Sequence, residues 1–187
     1  STTIELLPEL PQPPDFDRHL LRDTPIELIW KYINPLMLYG RHLGLPGAAV
    51  RNLSKDPKGQ ELQAIVRGVQ EEYGPEVFRP VGVYQFFQAR PEGNSVFLKA
   101  RGQNSEARFD FERQRKTDGL CLSDYVAPQG DSVALFVVSV GQGIRQLSES
   151  LKARGKFVWS HVVQALAIES AEAYAELLHE MLRRAWG

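Results

Sequence analysis

An α+β fold, a twisted antiparallel sheet flanked by helices, is the prediction for this 187-residue chain, and three observations carry it. Apolar residues recur at helical spacing near both ends of the chain, whereas the middle is rich in Val, Tyr and Phe with strand-like alternation. The final segment, from about Val158 onward, runs to Trp186 without Gly or Pro, the longest helical pattern in the sequence. Finally, the central strands are joined by Arg90-Pro-Glu-Gly-Asn94, turn chemistry that suits a hairpin. With 43% apolar and 10% aromatic residues, the chain has enough apolar mass for one large domain or two small ones.

Residues 1–17 hold Pro8, Pro11, Pro13 and Pro14 among acids, an extended arm that reads as an interdomain linker or strap; residues 18–187 form the domain proper. Asp23-Thr24-Pro25-Ile26-Glu27 has the form of a capping box with proline at the first helical position, so a helix is expected through about Ile33, burying Ile26, Ile29, Trp30 and Ile33. Asn34-Pro35 ends it, and Pro35 opens a short second helix that stops near Gly40 or Gly44. Leu62, Ile65, Val66, Val69 and Tyr73 define an amphipathic helix over 57–73, closed by Gly74-Pro75.

The strands follow. Residues 77–89 and 95–100 pair as a hairpin, 107–111 alternates as a third strand, 120–126 is a short apolar segment, and 132–140 is apolar enough for a sheet centre. A connecting helix is expected over 143–153. In the terminal helix Val162, Leu166, Ala173, Leu177, Met181 and Leu182 make the buried stripe. Glu169, Glu172, Glu176, Glu180, Arg183 and Arg184 take the opposite face, acids early and bases late as the helix dipole favours.

Charge narrows the function. Twenty-two basic and 23 acidic side chains give a net charge of −1, so no global field is present to hold nucleic acid or an anionic membrane. The densest basic run, Arg113-Gln-Arg115-Lys116, is a solvated connection. Cys121 is the single cysteine, which excludes an internal disulfide and leaves no thiol set for zinc or iron–sulfur chemistry. A reducing, cytoplasmic location fits. No segment has the apolar length of a membrane helix.

Motifs that carry chemistry elsewhere have plainer readings here. Val140-Gly141-Gln142-Gly143 follows a strand and precedes a helix, but Gln146 stands where a dinucleotide fingerprint needs its third glycine, so a tight turn explains both glycines. Glu176 and His179 have di-iron spacing without the second such pair that a metal site would require. Cys121, between Leu120 and Leu122, reads as a small buried residue, and Ser123 lacks a nucleophile elbow. Asp124 ties down the turn before Pro128. No catalytic residue and no metal ligand is assigned.

Three stretches taken together are more specific: RPVGVYQFFQA from Arg79, LCLSDYVAP from Leu120 and AEAYAELLHEMLRRAWG from Ala171. In this order they resemble the activation domain of cobalamin-dependent methionine synthase, and the YIN at 32–34 and the proline-rich arm fall where that family has a ligand-side turn and an interdomain linker. The resemblance implies a module that binds S-adenosylmethionine and docks on a cobalamin-binding domain of the same or another chain. There, with a flavodoxin-type electron donor, it serves the reductive methylation of cob(II)alamin. Such a module belongs to a methyltransferase yet needs no acid, base or nucleophile of its own, because a sulfonium is already an activated methyl donor.

Carried over by position, the resemblance places Asn34 where many members have an aspartate near the ligand, and Glu172 where a glutamate approaches S-adenosylmethionine. Asn34 keeps a hydrogen-bonding carbonyl but not the charge that attracts the ligand's amine. Members also continue past the Trp-Gly at 186–187 into a loop, an Arg-Pro or similar pair followed by Gly-Tyr-Pro-Ala-Cys-Pro, which supplies the arginine for the ligand carboxylate. The resemblance therefore implies a domain cut short before its ligand-binding loop. Expected behaviour of the chain alone is weak or no binding of S-adenosylmethionine, which a clear micromolar calorimetric signal would contradict. The alternative reading is a stand-alone corrinoid-protein interaction module that has lost the ligand.

Overall fold

The computed structural model describes Ile4, Leu7 and residues 9–187; Pro8 of the proline-rich arm lies outside the described residues. In chain order the elements are β1 (His19–Leu21), α1 (Ile26–Trp30), a π-helical segment (Leu36–His42), α2 (Gly47–Val50), α3 (Pro57–Val77), β2 (Val81–Glu92), β3 (Ser95–Lys99) and β4 (Glu106–Asp110). A 3₁₀ turn (Leu122–Tyr125), β5 (Asp131–Ser139), α4 (Ile144–Ala153) and α5 (Phe157–Trp186) complete the chain. Helices at both ends and strands between them make this the expected α+β fold.

The five strands form one sheet in the order β1-β2-β3-β4, with β5 paired to β2. β2 and β3 are antiparallel with Glu92 opposite Ser95, so the hairpin turns on Gly93 and Asn94 alone, and Gly93 takes φ 59°. That positive φ is what such a tight turn demands. The strand residues therefore extend further than the proline at 91 suggested, and β2 begins only at Val81. β4 closes the ladder antiparallel to β3.

The chain divides into two compact units. The helical unit comprises Leu20–Gly82 and Val137–Glu180, and the sheet unit comprises Ser1–His19, Val83–Phe136 and Met181–Gly187. In the helical unit, α3 and α5 bury Val66, Val69, Val162, Leu166, Tyr174 and Leu177 around Ile29 and Leu38. The core of the sheet unit is smaller, built on Ala89, Val96, Leu98 and Val126. Within the sheet unit the arm is strapped down: the Trp186 indole N–H donates to the Pro11 carbonyl at 3.0 Å, Gln85 Nε2 donates to the Phe16 carbonyl at 3.1 Å, and Pro13 is buried.

Several local expectations are corrected. The capping box at Thr24 does not form; α1 starts after Pro25 with no side-chain cap and ends at Trp30, because the Thr24 hydroxyl pairs with the Tyr174 hydroxyl at 2.9 Å instead. The helix opened by Pro35 is π-helical, not α. α3 does not stop at Gly74-Pro75 but carries Pro75 inside it to Val77. The lost hydrogen bond is tolerated near the helix end, where Val77 and Phe78 are buried.

Two faces also differ from expectation. β5 is apolar but not central: it pairs with β2, and Leu135 and Val137 are 41% and 69% exposed. On α5, Met181 is 44% exposed, whereas Glu169 is only 3% exposed. Its position explains this, since 162, 166, 169, 173 and 177 step along one helical stripe. A carboxylate in that stripe requires a partner.

Candidate functional site

That partner is His42, whose Nε2 lies 2.8 Å from Glu169 Oε1. Around this pair the π-helical segment and α5 enclose an open cavity of about 610 Å³ within the helical unit. One wall comes from the turn after α1. The Asn34 side-chain carbonyl accepts the Leu36 N–H at 2.9 Å, and its backbone carbonyl accepts the N–H groups of Met37 and Leu38 at 3.1 and 3.0 Å. An asparagine folded back in this way starts the helical segment without the first N–H donors being left unpaired. Tyr32, Met37 and Arg41 extend the wall.

α5 provides the other wall with Ile168, Glu169, Glu172, Ala173 and Glu176, successive positions of one face. The two walls are tied together. Besides the His42–Glu169 pair, His161 Nε2 lies 2.7 Å from the His42 carbonyl, the Tyr32 hydroxyl donates to Glu180 Oε2 at 2.5 Å, and Trp30 Nε1 donates to Ser170 Oγ at 3.0 Å. The two candidate residues, Asn34 and Glu172, thus line one cavity, both solvent-exposed.

The lining defines what the cavity can do. Three carboxylates, at Glu169, Glu172 and Glu176, face Arg41 and His42, and His42 is committed to Glu169. Positive charge on a ligand is therefore favoured. Met37, Ile168 and Ala173 give apolar surface, and Tyr32 a ring. Apolar, aromatic and acidic groups together make up most of the lining, a mixture suited to a small polar ligand with a cationic group.

The other motifs lie elsewhere and are structural. The Cys121 thiol is 2% exposed and sits 3.7 Å from the carbonyls of Asn94 and Phe111, while Ser123 Oγ donates to the Gly93 carbonyl at 2.9 Å. Arg113 grips both oxygens of Asp124 at 2.6 and 2.7 Å, and the Cys121 N–H donates to the same carboxylate at 2.9 Å. Those contacts, the guanidinium first, hold the Asp124 carboxyl down to about 2. The expected turn anchor is thus present, and it is reached through an arginine that reads in the sequence as plain solvated surface. A Cβ on Gly141 would stand 1.8 Å from the Val77 carbonyl oxygen, and Gly143 caps α4 at φ 84°, so the two glycines serve close approach and a turn. Among the described residues no cluster of His, Cys, Asp and Glu fits a metal ion.

The fold and the cavity are those of an α+β module with an open, acid-rich cavity walled by a π-helical turn and the face of a long helix. The family description "Vitamin B12 dependent methionine synthase, activation domain" matches residues 51–187, and the chain belongs to that family. Glu172 lies inside the matched region and Asn34 before it. The chain is also similar to the structure described as the MetH reactivation domain bound to AdoHcy, with a TM-score of 0.81 and 25% identity over 95% of this chain and 59% of that one. It therefore spans about three-fifths of that chain.

Sequence reasoning reaches Asn34 and Glu172 only through the resemblance. It misses Arg41 and the His42–Glu169 pair. The spacing of Glu169 within the apolar stripe is the available signal, since an acid at a buried helical position implies a partner.

Proposed function

We propose that this chain is the reactivation module of a cobalamin-dependent methionine synthase, holding S-adenosylmethionine in the cavity of the helical unit and docking on a cobalamin-binding domain. The observation that carries the reading is the meeting of Asn34 and Glu172 in a single acid-rich cavity, in a chain of this family. The ligand fits the donor set. Its ammonium and sulfonium groups are cations, Glu172 and Glu176 supply carboxylates, and Tyr32, Met37 and Ile168 offer surface for a heterocycle.

When bound, S-adenosylmethionine supplies a methyl group that needs no further activation. The chain's own work is to bind and orient. Glu172 pairs with the cationic end, and the Asn34 amide N–H groups hydrogen-bond to the ligand while its carbonyl oxygen stays engaged with Leu36. Cobalamin is carried by the partner domain, a flavodoxin-type protein supplies the electron for reductive methylation, and the setting is cytoplasmic. Residues 1–17 serve as the linker or strap, and residues 18–187 form the module proper. Among the described residues, no helix is long and apolar enough to cross a membrane.

With an uncharged asparagine at position 34, affinity is expected to be low, with Kd about 0.1–1 mM. Titration of the 187-residue chain with S-adenosylmethionine, followed by NMR, tests this. Glu172→Gln should weaken binding by roughly tenfold, the order of one charged hydrogen bond. An unchanged Kd would remove the cavity from consideration. Absence of binding at millimolar ligand would leave the second reading, a corrinoid-protein interaction module without the ligand, which the engaged Asn34 carbonyl favours.

A further inference from the structure

Among the described residues β4 is the last strand of the sheet, with β3 as its one neighbour. Natural edge strands are commonly blunted by a proline, a bulge or a covering segment, because an open row of N–H and C=O groups invites another strand. β4 has none of these: its five residues pair with β3 without interruption from Ser95↔Asp110 to Lys99↔Glu106, contain no proline, and are exposed throughout. The ladder fixes which groups are open. The Phe111 N–H donates to the Asn94 carbonyl at 3.0 Å, so the hydrogen-bonded pairs of this antiparallel ladder fall at Phe111, Phe109 and Ala107, and the backbones of Glu106, Arg108 and Asp110 turn outward. Side chains alternate as well. Phe109 stands opposite Val96, on the face of the sheet unit's core, yet is 40% exposed, while Glu106, Arg108 and Asp110 take the other face.

From this edge we infer that β4 pairs antiparallel with β4 of a second copy of this chain, about a two-fold axis at Phe109. The inference goes beyond the proposed ligand and does not depend on it. An axis there sets Arg108 of each copy opposite Asp110 of the other, through backbones that already turn outward, and brings the two Phe109 rings together on the core face. Charge and shape decide against the alternatives. An axis at Arg108 sets that arginine against itself and Glu106 against Asp110, all like charges. An axis at Ala107 matches Glu106 with Arg108 but leaves Phe109 opposite Ser105, which precedes the strand. The like pair that the Phe109 axis creates, Glu106 opposite Glu112, lies at the ends, where Arg90 neutralises Glu106 at 2.7 Å. Within one strand the Arg108–Asp110 bridge is 2.7 Å long and joins side chains 60% and 67% exposed, so it opens to a second copy at little cost. Five residues a side bury far less than the roughly 1,200 Å² of a stable interface, so association is weak, with Kd about 0.1 mM.

Sedimentation equilibrium of the full 187-residue chain over about 0.01–1 mM tests this. The parent should self-associate, less so at high salt. Arg108→Asp and Asp110→Arg should each remain monomeric, because like charges then meet across the axis. An equimolar mixture of the two variants should associate again, since every acid of one faces a base of the other. Amide exchange reads the backbone: the N–H groups of Arg108 and Asp110 should slow about fourfold across that range, while that of Phe109, already bonded to β3, changes little. Both substituted positions are exposed, and unchanged circular dichroism verifies that the variants fold. A parent that stays monomeric at the highest concentration, a dimer that both variants leave intact, or a mixture that does not associate overturns the inference. Association of Arg108→Asp with Glu106→Arg would overturn the register, placing the axis at Ala107.

Discussion

The helical unit and the sheet unit are each stabilised by different physics. In the helical unit, Leu166, Val162, Val163 and Tyr174 are fully buried on α5, in one core with Ile29, Leu38 and Val69. In the sheet unit the core is thin, and β4 is exposed along its whole length. Charge pairs stand where apolar burial is scarce: Arg90 with Glu106 at 2.7 Å, Arg108 with Asp110 at 2.7 Å, and Arg113 with Asp124 at 2.6 Å. Exposed pairs of this kind are individually weak and are screened by salt. Stability should therefore be graded across the molecule, with the cavity placed in the unit that resists opening and the strap and turns in the one that yields first.

Packing provides the harshest test of that contrast. Leu166→Ala should cost about 3–5 kcal/mol, since the site is closed on all sides, while Leu98→Ala in the thinner core should cost about 2 kcal/mol because its surroundings can relax. Thermal unfolding measures both, and equal losses would erase the distinction. Gly141→Ala should follow at about 2–4 kcal/mol, because the added methyl meets a backbone carbonyl that cannot swing aside and φ is 143°. Next, Glu169→Ala should cost about 1–3 kcal/mol by leaving the His42 ring without its buried acceptor, with Glu169→Gln recovering most of the loss. Urea unfolding of the three proteins would read this, and a neutral alanine variant would mean that the pair does not brace the cavity.

The smallest expected effect is the most specific. The Asp124 carboxyl is depressed from its ordinary 3.8 to about 2, chiefly by Arg113. A depressed carboxyl stabilises the fold fully above its unfolded value, and that contribution disappears as pH falls from about 4 through about 2. Asp124→Asn should therefore open the turn at neutral pH, seen as faster amide exchange at Cys121, and should match the parent near the bottom of that interval. High salt should narrow the gap at neutral pH. A variant equally different from the parent at every pH would show that shape, not charge, governs the turn.

What can be read without coordinates follows the same divide. α5 is plain because an unbroken 3.6-residue period leaves no competing interpretation. The class of fold follows from where the strands cluster. Failures arise where a distant partner decides a local choice. Thr24 has the look of a cap, but its hydroxyl is taken by Tyr174, 150 residues away in sequence. Glu169 reads as solvated because it is an acid, although its spacing places it inside the stripe. Pro75 reads as a stop, yet burial of Val77 and Phe78 extends the helix past it. Asn34 and Glu172 come from likeness to a family, and no periodicity would have joined them. The π-helical segment itself is not legible, because nothing in the residues of 36–42 marks the wider turn.

That turn also makes the site a matter of chain length. Each residue of a helix advances the side chains by about 100°, so removing one residue between Leu36 and His42 would reset the segment to α-helical phase and rotate the Arg41 guanidinium and the His42 imidazole off their bearings together. Every side chain would still be present in the composition, and the core would still close. The module would be a folded protein with a mistimed screw, the two walls of its cavity out of step.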